Sequence, residues 1–348
     1  MYRLMRHIAV TGISGKVGDA LRRFHPGGTT LTGLVHKNVP ETEGLTEVVQ
    51  GFDCTDEGGI KDIVRKLAGN KVRTIINCAG ETDLDGVEGQ RYAAEPTALS
   101  AYQENTRSAE ILASACAEVA AEGAEILLLH LSTESVFGDN VHGKKYTEED
   151  KLKVPRDHSG AINYADTVIM PTFYGLTKVL GEQKVQERYR VGSAIVRMHG
   201  VQGPRGGFFK RTCSELQMGK PFTRVDDMYV AHLADATIAE AIFTIEEAMH
   251  DPARRTRGIY HLSARNPVTP YDITLRFADR LGRPRSLITP IPLKELMEAG
   301  RRSGKLLAPR PHYTILDVAK FERDFHRLPT AEAAIDEYVG LYGHLFEM

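Results

Sequence analysis

Tyr174-Gly-Leu-Thr-Lys178 sets a phenol and an ammonium four residues apart at the start of a helical run. On a helix, positions i and i+4 share one face, one turn apart. A free tyrosine titrates near ~10, too high for useful acid–base work at neutral pH. A cation beside it favours the phenolate, lowers that value and makes the phenol a workable proton carrier. The pair therefore suits proton transfer to or from a substrate oxygen. The same spacing also arises on ordinary solvated helices, so its meaning rests on the elements around it.

Those elements alternate strand and helix along the chain, which predicts an α/β fold, a Rossmann-type doubly wound parallel sheet. His7-Ile-Ala-Val-Thr11 is a short apolar strand, followed by Gly12-Ile13-Ser14-Gly15-Lys16-Val17-Gly18 and a helical run from Asp19 to Phe24. Glycines at a first strand–helix junction let a pyrophosphate approach the backbone, while the helix N-terminus offers free N–H groups. The second strand, Thr30 to Val35, ends in His36-Lys37, with no acid before Glu41. An NAD site usually places an acid here for the ribose 2′-hydroxyl, whereas a 2′-phosphate calls for basic groups. Lys16, His36 and Lys37 therefore favour NADP(H) over NAD(H).

After a third strand, Asp53, with Cys54 beside it, suits the adenine amino group or the start of the next helix. The fourth strand, Val72 to Cys78, runs into Asn77-Cys78-Ala79-Gly80, small enough for a cofactor to cross the sheet edge. A long helix from about Thr97 to Ala121 carries a small apolar face for close packing. The fifth strand opens into Ser132-Thr133-Glu134-Ser135-Val136-Phe137-Gly138, hydroxyls at a strand's C-terminal end where ligands bind in such sheets.

Composition limits the rest. The 348 residues are 42% hydrophobic and 26% charged, as in a globular protein, and exceed the usual single-domain length. A net charge of -2 gives no case for nucleic acid or an anionic membrane as partner. No apolar run reaches the roughly 18 residues of a membrane helix, and the start passes directly into a strand pattern without a signal peptide. Cys54, Cys78, Cys116 and Cys213 lie too far apart for a close-spaced metal pair and read as reduced thiols of a cytoplasmic protein.

Thr11 to Gly18, Asn77 to Gly80, Ser132 to Gly138 and Tyr174 to Lys178 occur in the order of the extended short-chain dehydrogenase/reductases, which the chain resembles end to end. Within them it looks most like the dTDP-4-dehydrorhamnose reductase branch. Thr82, Asp85 and Glu88, the loop Tyr146 to Asp150, and Arg310 to Asp317 resemble that branch's segments. The resemblance implies reduction of a nucleotide-linked 4-keto sugar. Tyr174 would carry the proton, Lys178 would hold the ribose, and Thr133, with Ser132 beside it, would bond the substrate oxygen. Asn105 and His199 would lie beside the cofactor. Arg205, Lys210, Arg211 and Arg310 are candidates for the substrate pyrophosphate. The Rossmann domain is expected over 1–200 and about 222–264, and a substrate lobe over about 201–221 and 265–348. The two long helices resemble a superfamily dimer interface, which implies a homodimer.

Two departures qualify the assignment. The related 4,6-dehydratases place adjacent Asp and Glu after the threonine, to expel water; Glu134 and Ser135 supply one carboxyl, which disfavours elimination. The reductase branch usually has a tyrosine where Ser135 stands. An epimerase of the same superfamily is an alternative, as is a non-catalytic regulatory subunit like the β-subunit of methionine adenosyltransferase. Residues 156–170, which the family pattern lacks, are expected to form a hairpin or lid beside the site.

Overall fold

The computed structural model describes residues 6–36, 41–140, 143–166, 170, 172–254, 256–304 and 306–346. The β-branched and aliphatic runs form β1 (Arg6–Thr11), β2 (Thr29–Val35), β3 (Glu47–Gln50), β4 (Thr74–Asn77), β5 (Leu127–Thr133) and β6 (Ser193–Met198). With the strand Gly258–Leu262 they make one sheet in the order Gly258–Leu262, β6, β5, β4, β1, β2, β3, every neighbouring pair parallel. The order reverses between β1 and β4, the crevice where open α/β sheets bind ligands.

A parallel sheet is covered on both faces, and side-chain alternation divides the core accordingly. Ile8 and Val10 pack with Ala20 and Leu21 of α1 (Lys16–Arg23) and with the helix Asp235–His250. Ala9, between them, faces α2 (Glu57–Gly69) and the helix Ser108–Ala121. The latter packs directly on the helix Phe173–Tyr189, which carries Tyr174. Gly181 makes this approach close: a Cβ there would run into the carbonyl oxygen of Asn105.

The long helix expected from Thr97 is interrupted. A 3-10 turn over Pro96–Ala98 precedes Ser100–Tyr102, then a π-helical turn over Gln103–Arg107, then Ser108–Ala121. π-Bulges of this kind often sit at functional sites, and this one holds Asn105.

A second core gathers Phe209, Phe277 and Tyr338, edge-on at 5.0, 5.3 and 5.9 Å, from helices Phe208–Met218, Pro270–Arg280 and Ala331–Tyr342. A parallel strand pair, Phe222–Val225 with Ile288–Ile291, lies beside it. Ile315, Phe321, Leu328 and Ala334 lie in sequence within the expected substrate lobe. They pack instead with the sheet's first core, because their apolar side chains cover the face near Gly258–Leu262.

Within the segment that the family pattern lacks, Arg156 and Ile162 pair antiparallel around a turn held by Asp157, whose Oδ1 accepts the Ser159 and Ala161 N–H groups. Tyr164 meets Phe173 edge-on at 6.3 Å, so the hairpin packs on the start of the Tyr174 helix. Val168, Ile169 and Pro171 lie outside the described residues.

Candidate active site

At the end of β1 the chain turns through Gly12, φ +61°, where a Cβ would come within 2.7 Å of the Cys78 backbone. Gly18 is held as tightly: its Cβ would lie 2.5 Å from the Gly12 oxygen. Ile13 is buried in the core and Val17 packs against it, so these two face the cradle through their backbone. Gly15 caps α1 without a side chain, and Ser14, Gly15 and Lys16 are exposed. The loop thus presents uncapped N–H groups and a positive helix end, which fits a pyrophosphate.

Arg205 reaches this loop from the segment after Val201–Gln202. Its Nη1 donates to the Ser14 carbonyl at 3.1 Å and its Nε sits 3.0 Å from Asp19. It therefore sits at the glycine loop and is not among the residues lining the cleft, where its sequence position had put it. At the other end His36 Nε2 lies 3.7 Å from Asp53 Oδ2. Asp53 Oδ1 accepts from the Thr55 N–H and hydroxyl, and it is Asp56 that caps α2 by accepting the Gly59 N–H. Of the two roles expected for Asp53, the helix cap passes to Asp56. Burial pushes the adjacent Cys54 thiol up to about 11, with Glu104 and Asp53 adding to it. Lys37 lies outside the described residues.

Across the switch point, Thr11 Oγ1 donates to Asn77 Oδ1 at 2.6 Å and accepts the Ala79 N–H at 3.1 Å, shaping the Cys78-Ala79-Gly80 turn. Asn105 gives its two amide protons to the Glu81 carbonyl and Thr177 Oγ1, both at 3.0 Å. Its Oδ1 is buried without a hydrogen-bond partner among the described residues and faces Gly80, where a Cβ would stand 2.5 Å away. An unsatisfied acceptor beside a bare glycine is what a bound dinucleotide would complete.

Tyr174 and Lys178 are 8% and 5% exposed, one turn apart on the helix that Thr172 caps through the Gly175 N–H at 2.9 Å. Lys178 Nζ donates to the Leu131 carbonyl at 2.8 Å. Burial pulls it down to about 8, while Glu182 and Cys78 oppose that fall. The sequence expectation that Lys178 lowers the tyrosine is not met. Burial pushes the phenol up, the Glu134 charge pushes it further, and the Thr133 hydroxyl draws it partly back.

Thr133 joins the site: its Oγ1 accepts the Ser135 N–H at 3.2 Å and donates to Glu134 Oε2 at 2.8 Å. Ser132 does not. Its hydroxyl donates to Glu182 Oε1 at 2.5 Å, within a buried ion pair of Glu182 and Arg197 at 2.7 Å. Successive strand residues point to opposite faces, which separates the two hydroxyls. Glu182 lies one turn beyond Lys178, an i,i+4 relation readable in the sequence but not used.

Beside Glu134, Ser135 and Thr172 opens a cavity of about 250 Å³, and His199 lies in its wall with His232. Phe208, Arg211, Met228 and Arg310 connect it to a larger cavity of about 660 Å³. Arg310 Nη2 donates to both Asp85 carboxylate oxygens, at 2.8 and 2.9 Å, joining two of the segments that carried the resemblance. Arg224 pairs with Glu215 in the same wall, and Arg211 stacks over Phe208 at 5.6 Å. Arg211 and Arg310 thus face the cleft as expected; Lys210 is not among its lining residues.

The sheet order, the glycine cradle and the Tyr–Lys helix are those of the extended short-chain dehydrogenase/reductases, which are NAD(P)-dependent oxidoreductases. Residues 5–342 match the family model described as the RmlD substrate binding domain, and the chain belongs to that family. It is 28% identical to a dTDP-4-keto-6-deoxy-D-glucose reductase of Streptomyces niveus, over 88% of this chain and 87% of that protein. It is 25% identical to methionine adenosyltransferase 2 subunit beta of Xenopus laevis, over 91% and 82%. Its fold is that of dTDP-4-dehydrorhamnose reductase from Bacillus anthracis, solved in complex with NADP, with TM-score 0.73, 19% identity and coverage of 98% and 100%.

Proposed function

We propose that this chain reduces a nucleotide-linked 4-keto sugar with NADP(H). The observation that carries the reading is a protonated, buried Tyr174 bonded by the Thr133 hydroxyl, with the adjoining Glu134 and Ser135 lining a cavity that Arg211 and Arg310 also wall. A bound nicotinamide would supply the hydride to the carbonyl carbon. Tyr174 gives its proton to the oxygen that becomes the hydroxyl, with Thr133 hydrogen-bonded to that same oxygen. Lys178, charged at neutral pH, offsets the tyrosinate left behind until solvent reprotonates it. Arg211 and Arg310 suit the pyrophosphate of the substrate. Lys16 and Arg205 at the glycine loop, with His36 and Lys37, favour NADP(H).

Absorbance of NADPH with dTDP-4-keto-6-deoxy-D-glucose tests this. Oxidation is expected, slower with NADH, and tight NADPH binding without oxidation of any nucleotide-linked keto sugar would favour a regulatory subunit instead. Retention of cofactor with inversion of a sugar carbon and no net oxidation would favour an epimerase.

The homodimer through the two long helices is also a proposal. Their outer face carries Glu110, Lys184, Glu187 and Arg188 in ion pairs, so such an interface would be polar and salt-sensitive. A dimeric mass by light scattering at low salt is expected; a monomer at all salt concentrations would remove it.

A further inference from the structure

Reduction as derived above gives no step to two cleft histidines, one of which, His199, was expected from the sequence to lie beside the cofactor. His199 follows β6 and His232 precedes the helix Asp235–His250; their rings cross edge to face with centroids 5.3 Å apart. Both line the smaller cavity, and His232 continues into the larger one. His199 is 4% exposed, and its Nδ1 accepts the Gly200 N–H at 3.1 Å. That contact sets the tautomer, leaving the proton on Nε2.

The Nε2–H of His199 has no hydrogen-bond partner among the described residues, whereas the His232 ring is bonded by the Gly200 backbone. Buried polar groups are nearly always paired, so an orphaned ring N–H in a cavity wall calls for a ligand. Charge is not what the two rings offer. Burial pulls His199 down to about 4, and His232 well below its ordinary value with Lys16 contributing. The cations of the cleft are its arginines, which suit phosphate; a neutral, directional N–H suits a hydroxyl.

We infer that His199 Nε2–H, held by its packing on His232, hydrogen-bonds a ring hydroxyl of the sugar presented to Tyr174 and thereby selects which sugar is accepted. This rests on the keto-sugar reading. A site built to bond a hydroxyl rejects analogues that lack it, because its own polar atom is then left buried and unpaired.

The test compares wild type with His199→Leu and His199→Gln, using NADPH, dTDP-4-keto-6-deoxy-D-glucose and the unreactive probe dTDP-glucose. His199→Leu is expected to raise the sugar KM and the dTDP-glucose Kd by about tenfold or more, one lost hydrogen bond to a buried ligand group. NADPH affinity should be nearly unchanged; its loss in step with the sugar's would make His199 the cofactor contact expected from the sequence and overturn the inference, and circular dichroism verifies folding. His199→Gln, which places an N–H near the lost one, is expected to recover most of the loss. A purely packing histidine would give equal sugar affinities in wild type and His199→Leu, or equal defects in both variants, and either result overturns the inference. Absence of wild-type turnover would sink the keto-sugar reading by itself. The dTDP-glucose titration still decides the histidine, since equal affinity with and without it counts against the inference.

Discussion

Tyr174→Phe is expected to lower kcat by about 10²–10⁴-fold, the usual worth of a positioned proton donor, while leaving NADPH affinity nearly intact. The change removes one oxygen and keeps the ring, which packs with Phe173, Leu176 and Leu180 in an apolar cluster. Packing loss is therefore small. Burial and the Glu134 charge keep the phenol protonated, as a donor for ketone reduction requires. Lys178 sets the alkaline limit. Its ammonium is present below about 8 and lost above it, so kcat/KM should fall as pH rises through that value. Stopped-flow or steady-state NADPH oxidation reads the rate, and fluorescence titration reads the affinity. Equal loss of both would make Tyr174 a packing residue.

The architecture was largely legible because each sheet strand is a short apolar run bounded by glycine or polar residues. The parallel order and the glycine cradle followed from alternation and position. The side-chain partners were less legible. Ser132 and Thr133 are adjacent hydroxyls in sequence, and the choice between them depends on Glu182 and Arg197, which reach Ser132 from a helix and a neighbouring strand. The π turn at Asn105 breaks no hydrophobic period, so a single long helix was the natural expectation. Asp53 and Asp56 are equally good capping residues by type, and the turn Gly51-Phe52-Asp53 decides between them by carrying Asp56 to the helix start. Arg205 sits at the glycine loop and not in the cleft because the Gly203–Gly207 loop folds back over α1, a long-range event with no local signal. Of the hairpin or lid expected of the insertion from its apolar positions, the structure shows the hairpin, turned at Asp157 and Gly160, but its anchor lies far upstream.

That anchor is a buried ion pair. Arg91 Nε lies 2.8 Å from Glu88 Oε1, with side chains 0% and 3% exposed. Glu88 Oε2 accepts the Phe173 N–H at 2.9 Å, the first N–H of the Tyr174 helix. Arg91 donates to the carbonyls of Asp166 and Met170, each at 3.2 Å, at the end of the insertion. One guanidinium therefore ties the hairpin to the helix that must aim the phenol. Arg91→Leu is expected to cost about 3–5 kcal/mol in denaturant unfolding, because Glu88 is left as an uncompensated buried carboxylate. Burial already pushes Glu88 up with only Arg91, Arg310 and the Phe173 N–H opposing, so the variant should take up a proton there and lose least stability at acid pH. The Glu88→Leu/Arg91→Leu double variant should regain much of the stability, since apolar groups of similar volume often replace a buried pair without loss. Its kcat separates two roles. If the pair aims the catalytic helix, the restored fold still turns over slowly while NADPH binds normally, because the glycine cradle lies across the switch point from it. A double variant with wild-type stability and wild-type kcat would make the pair a fastening for the insertion alone.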